Sequence, residues 1–561
     1  ENASFFDLDN DISMSKINLK GNYNNAKQFL EFSSFSAFIE DKKISGKFSI
    51  KEFKNPLFKF SLKGDLDLAK TSFFIKENPI NINGIASFDL ESELKWVNSS
   101  PYFKFVTGDV KSKEIVLSYL PTKFVSKIEG LNLNFPYQDL IFSASSVKVN
   151  NDQLEAQLKL KNWLDVLIGK NKTIETDFKL YFQNLNLNQW LTYFPFSNDT
   201  SKTSLTKKIN GDILVDNLTF NKVKMENVKI NKISINEKVE ISSVIMKGQG
   251  GNYDFSCSSS NLSAKEVNLN LHGEVQLISA NKLFKEFENF DQNWVTSDHL
   301  FGSFSSELSA NLLFDQKGQL IHDKSRIKSS NQFKDFELVK FSFFEEVLNY
   351  FKENTITKKI MDMDYYENHL NKVVFEDFES EISMSNSQIE IQETQINNNI
   401  LDLNFFGIYA MNDSVDYHLS FDWRDIKKKN KPKKEFNIED DGLGKKLYLK
   451  IYGFLDDLNY GLDKGEIKKK RKEKLKEEKQ AIKQIINGEV PKSNLDSKTP
   501  VFEIESEEDI ENSKDVDSTN SFSVNKKSSK KKKDSSRLNK FLKKIGVEEE
   551  DKKKPKFEIN Q

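Results

Sequence analysis

An alternation of apolar and polar residues constrains this chain most, and it continues from the start to about residue 460. Segments such as FKFSL at 58–62, VNLNL at 267–271 and VDYHLSFDW at 415–423 place an apolar residue at every second position. The residues between them are Lys, Asp, Asn, Ser and His. A period of two is that of a β-strand with one buried and one wetted face. The pattern predicts a mainly β fold.

Composition supports strands but leaves the number of domains open. The chain has 47 Phe and 15 Tyr among 561 residues, whereas Pro (10) and Gly (22) are scarce. Aromatic residues favour strands, and a chain of this length can form several compact domains or one long one. The 83 basic residues nearly balance the 85 acidic ones, so no excess of positive charge favours nucleic acid as a partner.

Glycines add a second regularity, because several occupy the apolar phase of a strand instead of a turn. Eight positions show it: Gly21, Gly46, Gly64, Gly84, Gly273, Gly302, Gly407 and Gly453. Glycine inside a strand marks a sharp bend or the close approach of another backbone. We therefore expect an elongated, strongly curved, antiparallel-type sheet that forms a lengthwise apolar groove. Scattered bulges in ordinary β-sandwiches are the alternative.

Two stretches replace the alternation with helical spacing. Apolar residues follow this spacing in FSFFEEVLNYF, where we expect a short helix near 341–352, and in NKLFKEFENF, with Leu283, Phe284 and Phe287. We interpret both as helices that pack on the end or side of the sheet. An independent membrane-binding device is the alternative.

The composition changes after Gly465. EIKKKRKEKLKEEKQAIKQII predicts a charged helix over 465–488 that stops at Asn487-Gly488. The next segment, 489–561, is rich in Ser, Asp, Glu, Lys and Asn and predicts a disordered tail. Near its end Leu538, Phe541, Leu542 and Ile545 form a small apolar stripe, which predicts either a docking helix or a solvated tail. The expected organisation is thus a groove region at 1–300, a second β region at 301–463, the charged helix and the tail.

No arrangement of residues indicates catalysis, a metal or a cofactor. The five histidines are scattered, and His272 and His418 lie on the polar phase of their strands, where we expect them to face solvent. The sequence lacks Walker-type, G-x-G-x-x-G and G-x-S-x-G motifs. We interpret Glu439-Asp440-Asp441 as a solvated turn and the lysines at 526–533 as part of the tail. The chain is therefore expected not to be an enzyme.

The sequence alone gives no direct sign of a membrane-spanning segment. No segment approaches the roughly 20 consecutive apolar residues that a membrane-spanning helix requires. The sequence begins at Glu1, from which we expect a leader or anchor to have been removed or to lie outside it. The single cysteine, Cys257, excludes an intrachain disulfide and leaves the compartment open.

The region from about Gly302 to Leu462 resembles the C-terminal region of AsmA-like proteins, a family that includes relatives of TamB and of bridge-like lipid-transfer proteins. The resemblance lies in an ordered series: GSFSSELSANLLFD, then IKSSNQFKDFELVKFSFFEEVLNYF, then VVFEDFESEISMSNSQIEIQETQINNNILDLNFFGIY, and finally DYHLSFDW. The preceding 300 residues share only the style of strands and glycines, and the family's usual N-terminal membrane helix is missing from this sequence.

This resemblance implies a β groove that is anchored in the bacterial inner membrane, projects into the periplasm and conducts or shields phospholipid. Its partners would be phospholipids or other membrane lipids and envelope or outer-membrane assembly proteins. A non-enzymatic scaffold for outer-membrane protein assembly is the alternative. The predicted groove lining consists of Phe58, Phe60, Leu62, Leu66, Val267, Leu269, Leu271, Phe304, Leu403, Phe405, Tyr417, Leu419, Leu449 and Ile451.

Overall fold

The computed structural model describes residues 3–469, except 8–11, 72–79, 98–99, 120–123, 150–151, 168–170, 194–205, 263, 292–294, 316–317, 354–362, 401, 423–445, 456, and also describes residues 472 and 476. The described residues form one long, curved, unclosed β-sheet with a few short helices, as the alternation predicts. The strands are β1 (Ala3–Asp7), β2 (Ile12–Asn24), β3 (Phe29–Ile39), β4 (Lys42–Lys51), β5 (Leu57–Asp67), β6 (Ile80–Val97), β7 (Ser100–Tyr119), β8 (Phe124–Phe135), β9 (Leu140–Val149), β10 (Asp152–Lys161), β11 (Thr173–Asn186), β12 (Thr206–Phe220), β13 (Val223–Ile235), β14 (Val239–Gly248), β15 (Gly251–Ser259), β16 (Glu266–Ser279), β17 (Leu300–Asp315), β18 (Arg326–Val339), β19 (Lys372–Val374), β20 (Phe378–Ser385), β21 (Gln388–Ile396), β22 (Leu403–Ala410), β23 (Ser414–Asp422), β24 (Lys446–Phe454) and β25 (Asp457–Leu462).

The helices are short and lie between strands. They are α1 (Leu68–Thr71), α2 (Trp163–Leu167), α3 (Leu187–Tyr193), α4 (Ala280–Glu286), α5 (Ser342–Glu353) and α6 (Met363–His369), with 3₁₀ segments at Glu288–Asp291 and His322–Lys324. The helix predicted near 341–352 is present as α5, and the LFKEF stretch falls in and just after α4.

The strands follow one another across the sheet in sequence order, and each except β20 is paired with its predecessor. β19 and β20 lie end to end along the same edge of β18. The pairing is antiparallel except between β11 and β12, which run parallel in register from Thr173 opposite Thr206. This pair is the one parallel exception among the described pairings of a sheet that is otherwise of the expected antiparallel type.

Pairing continues across residue 300, where the sequence suggested a boundary between two β regions. β16 and β17 are joined from Glu266 opposite Asp315 to Ser279 opposite Ser303. The two regions therefore belong to one sheet. Adjacent strands lie about 4.8 Å apart, so a sheet of this many strands measures roughly 110 Å perpendicular to the strands.

Glycines on the apolar face show the direction of the curvature. A Cβ built on Gly46 would lie 2.0 Å from the carbonyl oxygen of Ser61, and one on Gly64 would lie 2.5 Å from that of Lys43. Such contacts arise only where the backbone of the neighbouring strand folds toward the side on which the Cβ would stand. Gly21, Gly211, Gly273 and Gly407 show the same approach, at 2.1–2.6 Å. The apolar face is therefore the concave one, here called the inner face.

The sheet has two long margins, formed by the ends of its strands, and these margins differ. The strands β5, β11, β16, β18 and β25 end at one of them, and from it α1, α3, α4 and α5–α6 depart. We call this the helix edge. The opposite edge consists mainly of short turns and carries α2.

A helix begins at the helix edge directly after β25. It is described over 464–469, and the Asp463 carboxylate caps it by accepting a hydrogen bond from Glu466 N at 3.0 Å. Most of the charged helix predicted over 465–488 and all of the predicted tail at 489–561 lie outside the described residues, as do Glu439-Asp440-Asp441 and Lys526–Lys533.

Candidate functional site

The inner face carries an unbroken row of apolar residues that crosses the sheet from β3 to β25. Each member is the direct cross-strand partner of the next, so the row is fixed by the register of the strands. In order, it reads Ala37, Ile44, Gly64, Phe88, Val110, Leu133, Phe142, Leu158, Phe178, Gly211, Ile233, Ile241, Cys257, Leu271, Ala310, Ile327, Met384, Ile389, Tyr409, Val415, Gly453 and Leu458. We call it the inner row. It contains no charged side chain.

The neighbouring row on the outer face has the opposite character. From β4 to β18 it reads Ser45, Lys63, Asp89, Asp109, Asn134, Ile141, Lys159, Asp177, Asn210, Ser234, Glu240, Ser258, Asn270, Asn311 and Arg326. Cross-strand ion pairs occur here, such as Lys161 with Asp177 at 2.6 Å. Successive residues point to opposite faces, so from β4 to β18 the sheet separates a wetted convex surface from an apolar concave one.

The structure places all fourteen predicted lining residues on the inner face. In β5, Phe60 lies between Phe48 and Ser92 of the adjacent strands; in β22, Phe405 lies between Thr394 and Leu419. The others share a face with these by register: Phe58, Leu62 and Leu66 in β5, Val267, Leu269 and Leu271 in β16, Phe304 in β17, Leu403 in β22, Tyr417 and Leu419 in β23, and Leu449 and Ile451 in β24.

These residues differ in how far they are covered. Phe60, Leu269 and Phe405 are partly buried, so part of each side chain remains accessible to solvent. Leu449 and Ile451 are 0 % exposed, because α5 and α6 pack over them in a cluster with Leu348, Phe351 and Tyr366. Leu403, Tyr417 and Leu419 pack against the same cluster, so these predicted positions, like Leu449 and Ile451, contact protein side chains. Burial beneath these helices also raises the pKa of Tyr417 to about 12.

Two helices near the middle of the sheet also contact the inner face from the helix edge. In α3, Trp190 packs edge-on against Phe182 and donates a hydrogen bond from Nε1 to Asp152 Oδ2 at 2.6 Å. Asp152 also accepts a hydrogen bond from Asn186 N, which satisfies the one carboxylate that the inner positions of β10 carry.

In α4, Glu286 reaches the same edge of the sheet and accepts a hydrogen bond from Gln249 Nε2 at 2.6 Å. Gln249 in turn accepts from the hydroxyl of Tyr253, and burial raises the pKa of that hydroxyl, with a smaller contribution from Glu286. These polar groups fix the helices at the margin of the groove and leave the inner row apolar.

A small polar island lies on the inner face between β18 and β21. Asn331 Nδ2 donates to Ser380 O and to Ser329 Oγ, each at 3.0 Å, and Thr394 Oγ1 donates to Ser380 Oγ at 3.1 Å. Because these groups bond to one another, they present few free partners to a ligand.

Sequence reasoning named no lining residue between Leu66 and Val267, although the same face continues there. DQLEAQLKLK in β10, where Leu154 and Ala156 are buried and their neighbours exposed, carried a clear signal of period two. What the sequence did not reveal is that α3, α4 and α5–α6 lie on the inner face.

Histidine positions differ in one respect from the expectation. His272 lies on the outer face, opposite Ser256 and Ser309, as its phase indicates. His418 is also on the outer face but is partly buried: its ring stacks on Phe406 at 4.6 Å and its Nδ1 contacts Asp463 Oδ2. In the described part of the chain, no cluster of three or more His, Cys, Asp or Glu side chains is arranged to hold a metal ion.

No helix within the described ranges combines the length and apolar character needed to cross a membrane. Comparison with known proteins found no matching family model, no similar curated protein and no similar solved structure.

Proposed function

We propose that this chain is a non-enzymatic lipid carrier that holds acyl chains along its inner face in the bacterial envelope, between the inner and outer membranes. The observation that carries the proposal is the inner row, which crosses twenty-two strands without a charge. The envelope setting and phospholipid as the cargo follow from the resemblance to AsmA-like proteins.

Hydrocarbon suits this surface better than a peptide does. The backbone groups of the inner face are already paired within the sheet, and the few polar side chains there, such as Asn331 and Thr394, bond to one another. A peptide in the groove would leave its own N–H and C=O groups without partners, at a cost of a few kcal/mol each. An acyl chain has no such groups.

The energetics favour retention without a specific site. Burial of a methylene group gains roughly 0.8 kcal/mol, so a chain of sixteen carbons gains roughly 12 kcal/mol wherever it lies along the row. Since successive positions are alike in character, a bound chain can slide with little change in free energy. The mechanism is passive conduction or shielding, and directional transport needs an energy source outside this sequence, which has no nucleotide-binding motif.

Mass spectrometry of lipids extracted from the purified chain tests the proposal directly. We expect near-stoichiometric phospholipid, strongly enriched over an unrelated β protein prepared identically from the same cells. Lipid at the background level of that control would contradict the carrier function and favour the assembly scaffold, for which partner pull-downs are the next experiment.

Cys257 offers a built-in reporter, because the only cysteine of the sequence is a partly buried member of the inner row. Burial raises the pKa of its thiol above the usual range. Maleimide reacts with the thiolate, so we expect the labelling rate to rise with pH and to reach half its maximum at a higher pH than for a fully exposed cysteine in a peptide. A midpoint equal to or below that of the peptide would show that the thiol is not buried.

Lipid should protect the same thiol. We expect phospholipid vesicles to slow labelling of Cys257 severalfold, because an acyl chain on the inner row covers the sulfur. The matched control is Ser258→Cys in a Cys257→Ser background, which moves the thiol to the adjacent outer-face position. Equal effects of lipid on the two thiols would count against binding at the inner face.

A further inference from the structure

The two ends of the groove differ in how far their inner-face side chains are exposed. On β2, Leu19 and Tyr23 are paired with the inner-face residues Phe35 and Leu30, yet 53 % and 64 % of their surface is exposed. On β24, Leu449 and Ile451 are 0 % exposed. All four residues lie on the inner face. Leu19 and Tyr23 lie on the side of the inner row that faces away from the helix edge, whereas Leu449 and Ile451 lie on its helix-edge side, beneath α5–α6.

The covering element at the β25 end is the helix pair α5–α6. It leaves β18 at the helix edge, returns to the same place as β19, and in between lies over strands three to six positions further along the sheet. Its apolar side chains contact the inner face directly. The ring of Phe351 packs edge-on against that of Phe421, with centroids 5.9 Å apart, and the ring centroids of Tyr350 and Tyr460 are 6.0 Å apart.

Polar contacts hold the pair in place at its outer margin. The hydroxyl of Tyr460 donates to Glu346 Oε2 at 2.6 Å, and Lys352 pairs with Glu367 to join the two helices. At this end, side chains of α5 and α6 thus occupy the space on the inner face that an acyl chain would occupy along the rest of the groove.

A small space remains beneath the pair. A cavity of about 90 Å³ lies between the helices and the inner face, and Asn398 is the one polar residue among those that border it. Its apolar border consists of Phe344, Val347, Leu348, Phe351, Tyr366, Leu370, Val373, Phe375, Ile400, Leu403, Leu419 and Phe421. The cavity is far smaller than the 300–1,000 Å³ of a pocket for a whole ligand. It suits the end of one acyl chain.

We propose that the groove is closed at one end. The helix pair α5–α6 blocks it at β22–β25, where the cavity seats the end of an acyl chain, and we call this pair the stopper. Lipid enters and leaves toward the open end at β2–β3. This inference rests on the proposed function and adds to it the place where the path stops.

Photocrosslinking tests this with the unmodified chain. The probe is a phosphatidylethanolamine with a diazirine at the end of one acyl chain, and labelled peptides are mapped by mass spectrometry. We expect labelling within 29–67 and on strands through β18, weaker labelling at 403–421 from the cavity, and at least tenfold less labelling at 446–462. Labelling of 446–462 as strong as that of 57–67 would overturn the stopper. Absence of labelling everywhere would instead contradict lipid binding itself.

A release variant provides a second readout. Leu348→Asp combined with Phe351→Asp places two carboxylates in the apolar contact of α5, whereas Asn349→Asp adds a charge on its exposed side. If the release variant keeps the circular-dichroism signal of the sheet, we expect labelling at 446–462 to rise about tenfold, with no change for Asn349→Asp. A folded release variant with an unchanged map would refute the stopper.

Discussion

Phospholipid binding is expected to fall at least about tenfold when Phe60, Leu269 and Phe405 are replaced together by Asp, while the protein remains folded. The three residues lie on the inner face near the beginning, middle and end of the sheet and are only partly buried. In an empty groove, water can therefore solvate the new carboxylates. Beneath an acyl chain it cannot, and an unpaired carboxylate in hydrocarbon is strongly unfavourable. Extracted lipid, quantified by mass spectrometry, provides the measurement.

A matched control separates position from charge. The control variant carries Ser61→Asp, Asn270→Asp and Asn404→Asp. Each substitution adds a charge at the residue next to Phe60, Leu269 or Phe405 in the same strand, on the outer face. This variant should retain the phospholipid content of the natural chain. If both triple variants lose lipid equally, or if the inner-face variant keeps it while folded, the inner face is not the binding surface.

Gly273→Val should lower the free energy of unfolding by about 3 kcal/mol, the upper part of the range for overpacking substitutions. A Cβ at this position would lie 2.1 Å from the carbonyl oxygen of Asp254 and 2.7 Å from the Cα of Phe255. These are backbone atoms of the adjacent strand, so relief requires β15 and β16 to separate or the sheet to flatten. Urea titration followed by circular dichroism measures the effect as a lower transition midpoint.

Gly461→Val supplies the comparison for this substitution. Gly461 lies in β25, and a Cβ there would have no heavy atom within 4 Å. Its replacement should change stability by no more than about 0.5 kcal/mol. Equal midpoints for the two variants would show that the close approach at Gly273 does not maintain the curvature.

The curvature illustrates how far the sequence reaches. The phase of Gly46, Gly64 and Gly273 predicted a bend toward the apolar side, because only a residue without a Cβ tolerates a neighbouring backbone there. The structure confirms the curved sheet and shows the carbonyl oxygens that make the contacts. The order of the strands was not predictable in the same way. Nothing in the segments of β11 and β12 distinguishes a parallel neighbour from an antiparallel one, since both pairings bury the same alternate residues.

The candidate site, too, was predictable from the sequence in one part and not in another. The sequence by itself determined which residues share a face, because a strand sends alternate side chains to opposite sides whatever its partner; all fourteen predicted lining residues therefore lie on the inner face. Only the tertiary structure decided which of them are covered by other parts of the chain and which stay partly exposed. Phe405 and Leu449 both lie on the apolar phase of their strands, yet Leu449 lies under α5–α6, which starts about a hundred residues earlier. Coverage depends on long-range packing, and local periodicity carries no information about it.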